Sequence, residues 1–423
     1  MAVAEPVLLV EPPPFRRDRR VHAWIGVKAV SDAGDALWTI ALAWTAVQIA
    51  SPAVAGLIVA AGTVPRAAVL LFGGVLADRA DARRVMLVCN VVRVGVLVAA
   101  TIWVLATPPT AGVLLSAAIA FGVCDAFYEP SAGTMARQLV RPADLPAYGA
   151  AAQTASRLGT MGGAAVGGVI VAHAGLAGSA SVNALTFATV VAFIAIWLRP
   201  RYRLARAEKE HALRGIARGF GHLSTHLTTR TLVLALSGLN LAVGPAVGIG
   251  LALRAHDEGW GAPAVGLFEA LLGLGAALGA VSVARWRPRH EARAGFGALV
   301  VQGAAIVALG FGWVWTVSLS AFVVGATAGY ASVLLSATFS ATVDTAYLGR
   351  MSSITRLGDD CLMPLAMAGF GALASATALW VPFALYGLAM LGVMAVPLSS
   401  RTFRRMSLRQ ESRRHEPCRR CAS

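Results

Sequence analysis

Phe72-Gly-Gly-Val-Leu-Ala-Asp78-Arg79-Ala-Asp81-Ala-Arg83-Arg84-Val-Met-Leu87 sets an acid, Asp78, and three arginines, Arg79, Arg83 and Arg84, in a very short polar gap. The apolar runs on either side are each long enough to cross a bilayer, which takes about 20 residues. So tight a gap folds its flanking helices into an antiparallel hairpin. Basic residues in short loops resist translocation, so the arginines put the bend on the cytoplasmic side.

Composition agrees with a membrane protein. The chain is 57% hydrophobic and only 13% charged, with a mean hydropathy of +0.68, far more apolar than a soluble core of this length requires. The formal charge of +15 raises nucleic acid as a partner, but its distribution argues against one. The arginines fall at alternate loops, as membrane topology requires, and are not gathered into a single footprint.

Working outward, residues 1–22 read as a cytoplasmic tail. They carry three consecutive prolines and Arg16-Arg17-Asp18-Arg19-Arg20, and Val7–Val10 is too short for a signal sequence. Spans are expected at about 23–49, 53–76, 85–105, 111–134, 148–172 and 178–198. A linker at 199–229 follows, then spans at about 230–252, 263–284, 294–312, 316–338, 353–375 and 378–398. Residues 23–198 and 230–398 thus form two six-helix bundles, and 399–423 a basic cytoplasmic tail. Twelve spans put both termini on one side, and the outside turns then hold only Arg254. Within the linker, Ala205–Phe220 reads as an amphipathic helix on the inner leaflet, its arginines available to anionic lipid. The halves echo each other weakly: Arg285-Trp-Arg-Pro-Arg289 follows the eighth span as Arg79–Arg84 follows the second, without the acid.

Gly74-Val-Leu-Ala-Asp78-Arg79 followed by Arg83-Arg84 resembles the loop signature between the second and third helices of the major facilitator superfamily. The surrounding text is similar to its twelve-helix drug:proton antiporters of the macrolide-efflux and enterobactin-exporter type. That text includes Ser31-Asp-Ala-Gly-Asp35, Val64-Pro-Arg66, Asp125-Ala-Phe-Tyr-Glu-Pro130, Gly163-Ala-Ala-Val-Gly-Gly168 and Leu348-Gly-Arg350. Two positions depart from the family pattern: its second loop glycine is Asp81 here, and the proline of its antiporter motif is Ala164. The resemblance implies an all-α fold of twelve transmembrane helices in two pseudo-symmetric bundles. It also implies that Asp78, with Arg79, Arg83 and Arg84, works as a conformational latch against the inner end of span eleven, where a helix dipole can hold a carboxylate. The simpler reading of that loop is a topogenic turn.

Acids interrupt only some spans: Asp32 and Asp35 in the first, Asp125 and Glu129 in the fourth, Glu269 in the eighth, Asp359 and Asp360 in the eleventh. A charge at the bilayer centre costs about 2.5–3.5 kcal/mol on insertion scales, so such residues face a partner or a wet cavity. By resemblance, these four spans border the central cavity. Asp32 and Asp35 share a helix face, and Asp35 lies roughly 18 Å from the inner end of its span at about 1.5 Å per residue. A carboxylate at that depth suits proton coupling. The alternative is a fixed ion pair with Arg66, Arg93 or Arg157. Asp125 and Glu129 form a second proton or cation site, or pair with Arg157. Glu269 sits near the outer end of its span, placed to attract a cationic substrate or to reach the interface. Arg356 lies three and four residues before Asp359 and Asp360 and can pair with one of them, leaving the other as a cavity or substrate candidate.

Gly159, Gly163 and Gly167, with Gly168 beside them, and Gly275 with Gly279, fall four apart on spans five and eight. That spacing lets helix backbones approach, and by resemblance the two spans meet between the halves. Trp38, Trp44, Phe127, Tyr128, Phe268, Tyr330 and Phe339 are available to line a cavity, though each taken singly reads as core or lipid-facing. Cys418 and Cys421 lack the second pair that a zinc site needs, and no metal site is expected. No phosphate-cradling Gly-x-x-x-x-Gly-Lys stretch supports ATP drive, and no nucleophile or paired base argues for an enzyme. All but two of the 36 lysines and arginines are arginine, a composition of GC-rich bacteria.

The expectation is therefore a monomeric exporter in a bacterial cytoplasmic membrane. It uses the proton gradient, and no cofactor, to expel an amphipathic drug-like compound or secreted metabolite. A proton-coupled importer and a transport-inactive sensor stand as alternatives, because the fold does not fix the direction.

Overall fold

The computed structural model describes residues 7–66, 81–203, 221, 223, 227–343 and 345–399. Asp78 and Arg79, the inner half of the second span, the expected linker helix and the tail beyond 399 lie outside these residues. What is described is almost entirely helical. The first span is the helix Arg19–Ile49, the second begins at Pro52–Ala61, and the third and fourth are Ala82–Ala106 and Ala111–Leu139. The fifth and sixth run as Leu145–Ile196, broken at Gly175, whose φ of 60° is a left-handed conformation that glycine alone adopts without strain. The seventh comprises Leu227–Pro245, a π turn at Ala246–Gly250, and Leu251–Asp257. The last five are Ala262–Arg285, Glu291–Leu309, Val314–Thr342, Thr345–Ala376 and Trp380–Ser399.

Local chemistry explains where these helices start. Asp18 caps the first span by accepting from the Val21 amide at 3.2 Å, and Asp81 caps the third by accepting from the amides of Arg83 and Arg84 at 2.9 and 3.3 Å. Asp81, where the family pattern has glycine, thus serves as the N-cap of a helix. Among the described residues, nine helices are long and apolar enough to cross a membrane. The first span carries Asp32, Asp35 and Gln48 within its apolar run, and only the first part of the second is described.

The chain divides into two compact units. The first holds residues 1–209 together with 248–270 and 364–375; the second holds 210–247, 271–363 and 376–423. In the first unit, the span-one helix lies along the fifth and sixth, and an aromatic column fills the seam. Trp24 stacks on Phe193 at 5.9 Å, Trp38 on Phe121 at 5.5 Å, and Phe121 meets Phe187 at 5.9 Å. In the second unit, spans nine and twelve touch through bare backbone. A Cβ added at Gly303 would lie 2.8 Å from the Gly387 carbonyl oxygen.

The N-terminal stretch is docked from residue 7 onward. Val7–Leu8 pairs antiparallel with Tyr202–Arg203 just after the sixth span. The Arg141 guanidinium donates to the Pro12 carbonyl at 2.6 and 2.9 Å, and Phe15 stacks on His22 at 4.8 Å and meets Tyr148 edge-on at 6.4 Å. Asp18 forms an ion pair with Arg201. Together these contacts close the end of the bundle where its basic residues gather.

Candidate functional site

The polar residues buried in the first unit converge from spans one, three, four and six. At about 1.5 Å per residue, Asp35, Arg93, Asp125 and Asn183 all lie roughly 16–24 Å from the basic ends of their helices, hence at similar depth. Arg93, only 3% exposed, forms an ion pair with Asp125 across spans three and four. Its guanidinium carbon lies 5.0 Å from the ring centroids of Tyr128 and Phe187 and 6.0 Å from that of Phe121, so aromatic faces stabilise the cation where water is scarce. The Arg93 Nε has no hydrogen-bond partner.

Asp35 is half-buried beside this pair, in the electrostatic field of Arg93, Asp125 and Asp32 and next to Asn183. Asp32 is held by Lys28, whose Nζ reaches its two carboxylate oxygens at 2.8 and 3.0 Å. Asn183 is fully buried. Its Oδ1 accepts from the Thr186 hydroxyl at 2.9 Å, and its Nδ2 is without a partner. Gly34 makes this approach possible, since a Cβ there would collide with the side-chain oxygens of Asn183 and Thr186. Three carboxylates, Asp32, Asp35 and Asp125, thus face two cations, Lys28 and Arg93. With two acids paired, Asp35 is the unmatched one, which is the condition for taking up a proton or a cation.

The remaining sequence candidates fall elsewhere. Arg157 and Glu129 are exposed and Arg66 is half-buried, and no ion pair joins them to the cluster among the described residues. Arg93, one of the three arginines expected as partners for Asp35, pairs with Asp125, and Arg157, the expected alternative partner of Asp125 and Glu129, forms no ion pair with either among the described residues. Lys28 and Asn183 are absent from the sequence candidates: the acids drew attention and not the lysine one turn before Asp32, and Asn183 is uncharged within an otherwise apolar span. The i,i+4 spacing from Asp32 was the signal available for Lys28, and matching depth across antiparallel helices was the signal for Asn183.

Glu269 is half-buried on span eight, without an ion pair among the described residues. In the second unit, Asp359 accepts a hydrogen bond at Oδ2 from Asn240 Nδ2 of the seventh span at 2.7 Å, while its buried Oδ1 has no partner. Asn240, not Arg356, is therefore its neighbour. Asp360 is half-buried on the same turn.

The glycines pack differently from expectation. Gly159, Gly163 and Gly167 meet Ala29, Ala33 and Leu37 of span one, and Gly275 and Gly279 meet Phe322, Ala326 and Tyr330 of span ten. Only Gly168 faces span eight: a Cβ there would lie 2.6 Å from the Ala262 carbonyl oxygen and 2.9 Å from Pro263 Cα. Gly266 answers it, its added Cβ falling 2.6 Å from the Ala164 carbonyl oxygen. Near the same end, Gly56 of span two meets Gly371 of span eleven, and Trp44 meets His256 edge-on at 5.9 Å. The aromatic candidates Trp38, Phe268 and Phe339 are core residues.

Of the loop signature, Arg83 and Arg84 are described. The Arg83 guanidinium donates to the carbonyls of Ile194, Ala195 and Leu198 at 2.6–3.2 Å, capping the C-terminal end of span six. Arg84 is exposed.

A family profile described as Major Facilitator Superfamily matches residues 26–360. No curated protein matches the chain in sequence. Among solved structures, the fold is similar to the nucleoside transporter NupG (TM-score 0.69, 12% identity, 89% of this chain and 98% of that one). It is likewise similar to the POT family transporter PepTSo (0.70, 11%, 91% and 98%). A bacterial homolog of the human lysosomal transporter Spinster, solved inward-facing and unoccupied, also matches (0.63, 16%, 94% and 98%).

Proposed function

Because the chain belongs to the major facilitator superfamily, and is thus a multi-pass secondary transporter and not an enzyme, we propose that it exports an amphipathic drug-like or secreted natural-product molecule in exchange for protons. The drug:proton antiporter branch is the reading that its loop and span-one motifs favour. The observation that carries the coupling is the uneven charge count around Arg93: two carboxylates, Asp35 and Asp125, within the field of one guanidinium. With a proton on Asp35, Arg93 belongs wholly to Asp125. When Asp35 releases it, two carboxylates compete for one cation, and the packing of spans one, three and four is biased toward a second arrangement. Asp32 and Glu129 are the further acids of the same half.

On this reading, the basic end faces the cytoplasm with both termini, in a bacterial plasma membrane, and a monomer is the working unit. Residues 23–198 and 230–398 rock as two bundles about the 199–229 linker. Glu269, Asp359 and Asp360 attract the cationic head of the substrate, and the Asp78–Arg84 loop latches the cytoplasmic end. The bare-backbone contacts at Gly56–Gly371 and Gly168–Pro263 part when the opposite end opens.

The test is uptake of ethidium into inverted vesicles under an imposed proton gradient. Gradient-driven uptake that collapses in Asp35→Asn supports export coupled through Asp35, and uptake that survives the substitution moves the proton site to another acid. Gradient-driven movement of a substrate only in the opposite sense makes the chain an importer, and no gradient-dependent flux in either direction leaves the sensor.

A further inference from the structure

The basic end of the first unit carries a cleft that the transport reading does not use. Arg20, Arg199 and Arg201 stand around it above an apolar floor of Leu139, Phe193 and Trp197, and it is a shallow depression open to solvent. It gathers the start of span one, the end of span four and the end of span six.

Three features decide what fits there. First, the charge is net positive. Arg201 is engaged by Asp18, while Arg20 and Arg199 are exposed and form no ion pair among the described residues, so the group retains two positive charges. Second, the carbonyls at the end of span six, which would repel an anion, are already taken by the Arg83 guanidinium. Third, the floor continues onto the membrane-facing side. Ile196 and Trp197 are 57% and 54% exposed on the last turn of the span, at the level where tryptophan marks the bilayer interface.

We propose that this cleft binds an anionic phospholipid. Arg20 and Arg199 hold the phosphate, whose oxygens match the planar donor fork of arginine. Trp197 packs against the glycerol region, and an acyl chain lies along Ile196 and the outer face of span six. A free phosphate shares the chemistry of the headgroup but has nothing to place on the apolar floor, which is why a lipid is the occupant. The bound lipid joins the beginning of span one to the end of span six, beside the Asp18–Arg201 pair.

The experiment is native mass spectrometry of the full-length protein titrated with phosphatidylglycerol, with phosphatidylcholine and, separately, with inorganic phosphate. Wild type retains phosphatidylglycerol in preference to phosphatidylcholine. Arg20→Gln with Arg199→Gln lowers that preference by roughly thirtyfold, about fivefold for each interfacial charge. Arg289→Gln, an exposed arginine on another turn, leaves it unchanged. Trp197→Ala keeps the charges and lowers phosphatidylglycerol retention, which separates headgroup from chain, and Arg199→Gln alone serves if the double variant does not fold. Equal retention of the two lipids by wild type overturns the proposal, as does a preference that survives the double substitution. Inorganic phosphate competing as well as the lipid reduces the site to a phosphate site.

Discussion

Asp18 and Arg201, 183 residues apart, are joined by an ion pair in which the carboxylate simultaneously caps the first span. Burial alone would raise the pKa of Asp18, but the Arg201 hydrogen bond and charge, with the Val21 and Arg20 amides, outweigh it and hold the carboxyl below its ordinary value. A carboxylate whose folded-state pKa is depressed adds stability above the unfolded-state pKa of about 3.9 and loses it as pH falls through the folded value. The acid flank of the melting-temperature profile therefore contains an Asp18 contribution below about pH 4. Asp18→Asn should remove it and lower stability at pH 7 by roughly 1–3 kcal/mol, through the lost cap and the unpaired Arg201. Identical acid flanks for variant and wild type would refute this.

Arg93 and Asp125 should behave as one unit. Arg93→Gln leaves Asp125 and Asp35 without their cation and is expected to abolish gradient-driven transport and lower stability by about 3 kcal/mol or more. Arg93→Gln combined with Asp125→Asn removes both charges and should recover much of the stability. It should not recover proton coupling, because Asp35 then has no cation whose position it can bias. A double-mutant cycle on melting temperature and on flux reads both terms. Additive losses would mean that the pair is incidental.

Span positions were legible in the sequence because apolar length is a local property: the expected edges at 111, 263 and 378 lie within two residues of the helices beginning at Ala111, Ala262 and Trp380. Asp35 and Asp125 were legible too, since a charge in an apolar run marks itself. Which cation meets which acid was not, because helix rotation decides it, and Arg157 is turned outward while Arg93 is turned in. The glycine partners failed for the same reason. Spacing shows that a backbone is exposed to a neighbour but not whether that neighbour is span one or span eight. The docking of Val7–Asp18 depends on partners near residues 141, 148 and 201, and nothing in the tail itself encodes them.

The Gly56–Gly371 contact makes a steric prediction. A Cβ at Gly56 would lie 2.9 Å from Gly371 Cα and 3.1 Å from the Met367 carbonyl oxygen, so both obstacles are backbone and cannot rotate away. Gly56→Val should prevent this end from closing. The protein should express and insert normally, lose transport, and show faster labelling of a cysteine placed at His256 by a membrane-impermeant maleimide. Gly95→Val, where an added Cβ meets nothing within 4 Å, is the control. Unchanged transport in Gly56→Val would show that this contact does not open and close in the cycle.

Arg83 and Arg84 are neighbours in one motif with separable roles. Arg83 occupies three carbonyls that the end of span six leaves without amide partners, and hydrogen bonds to a charged donor contribute about 1.5–3 kcal/mol. Arg84 points outward, and substitutions at such surfaces usually stay within about 0.5 kcal/mol. Arg83→Gln should therefore lower the melting temperature of the purified transporter clearly, and Arg84→Gln should barely move it. A fall of comparable size in both would return the two arginines to a shared topogenic function. A fall in flux for Arg84→Gln without loss of stability would instead place Arg84 in the latch, with Arg83 fixing the base from which it works.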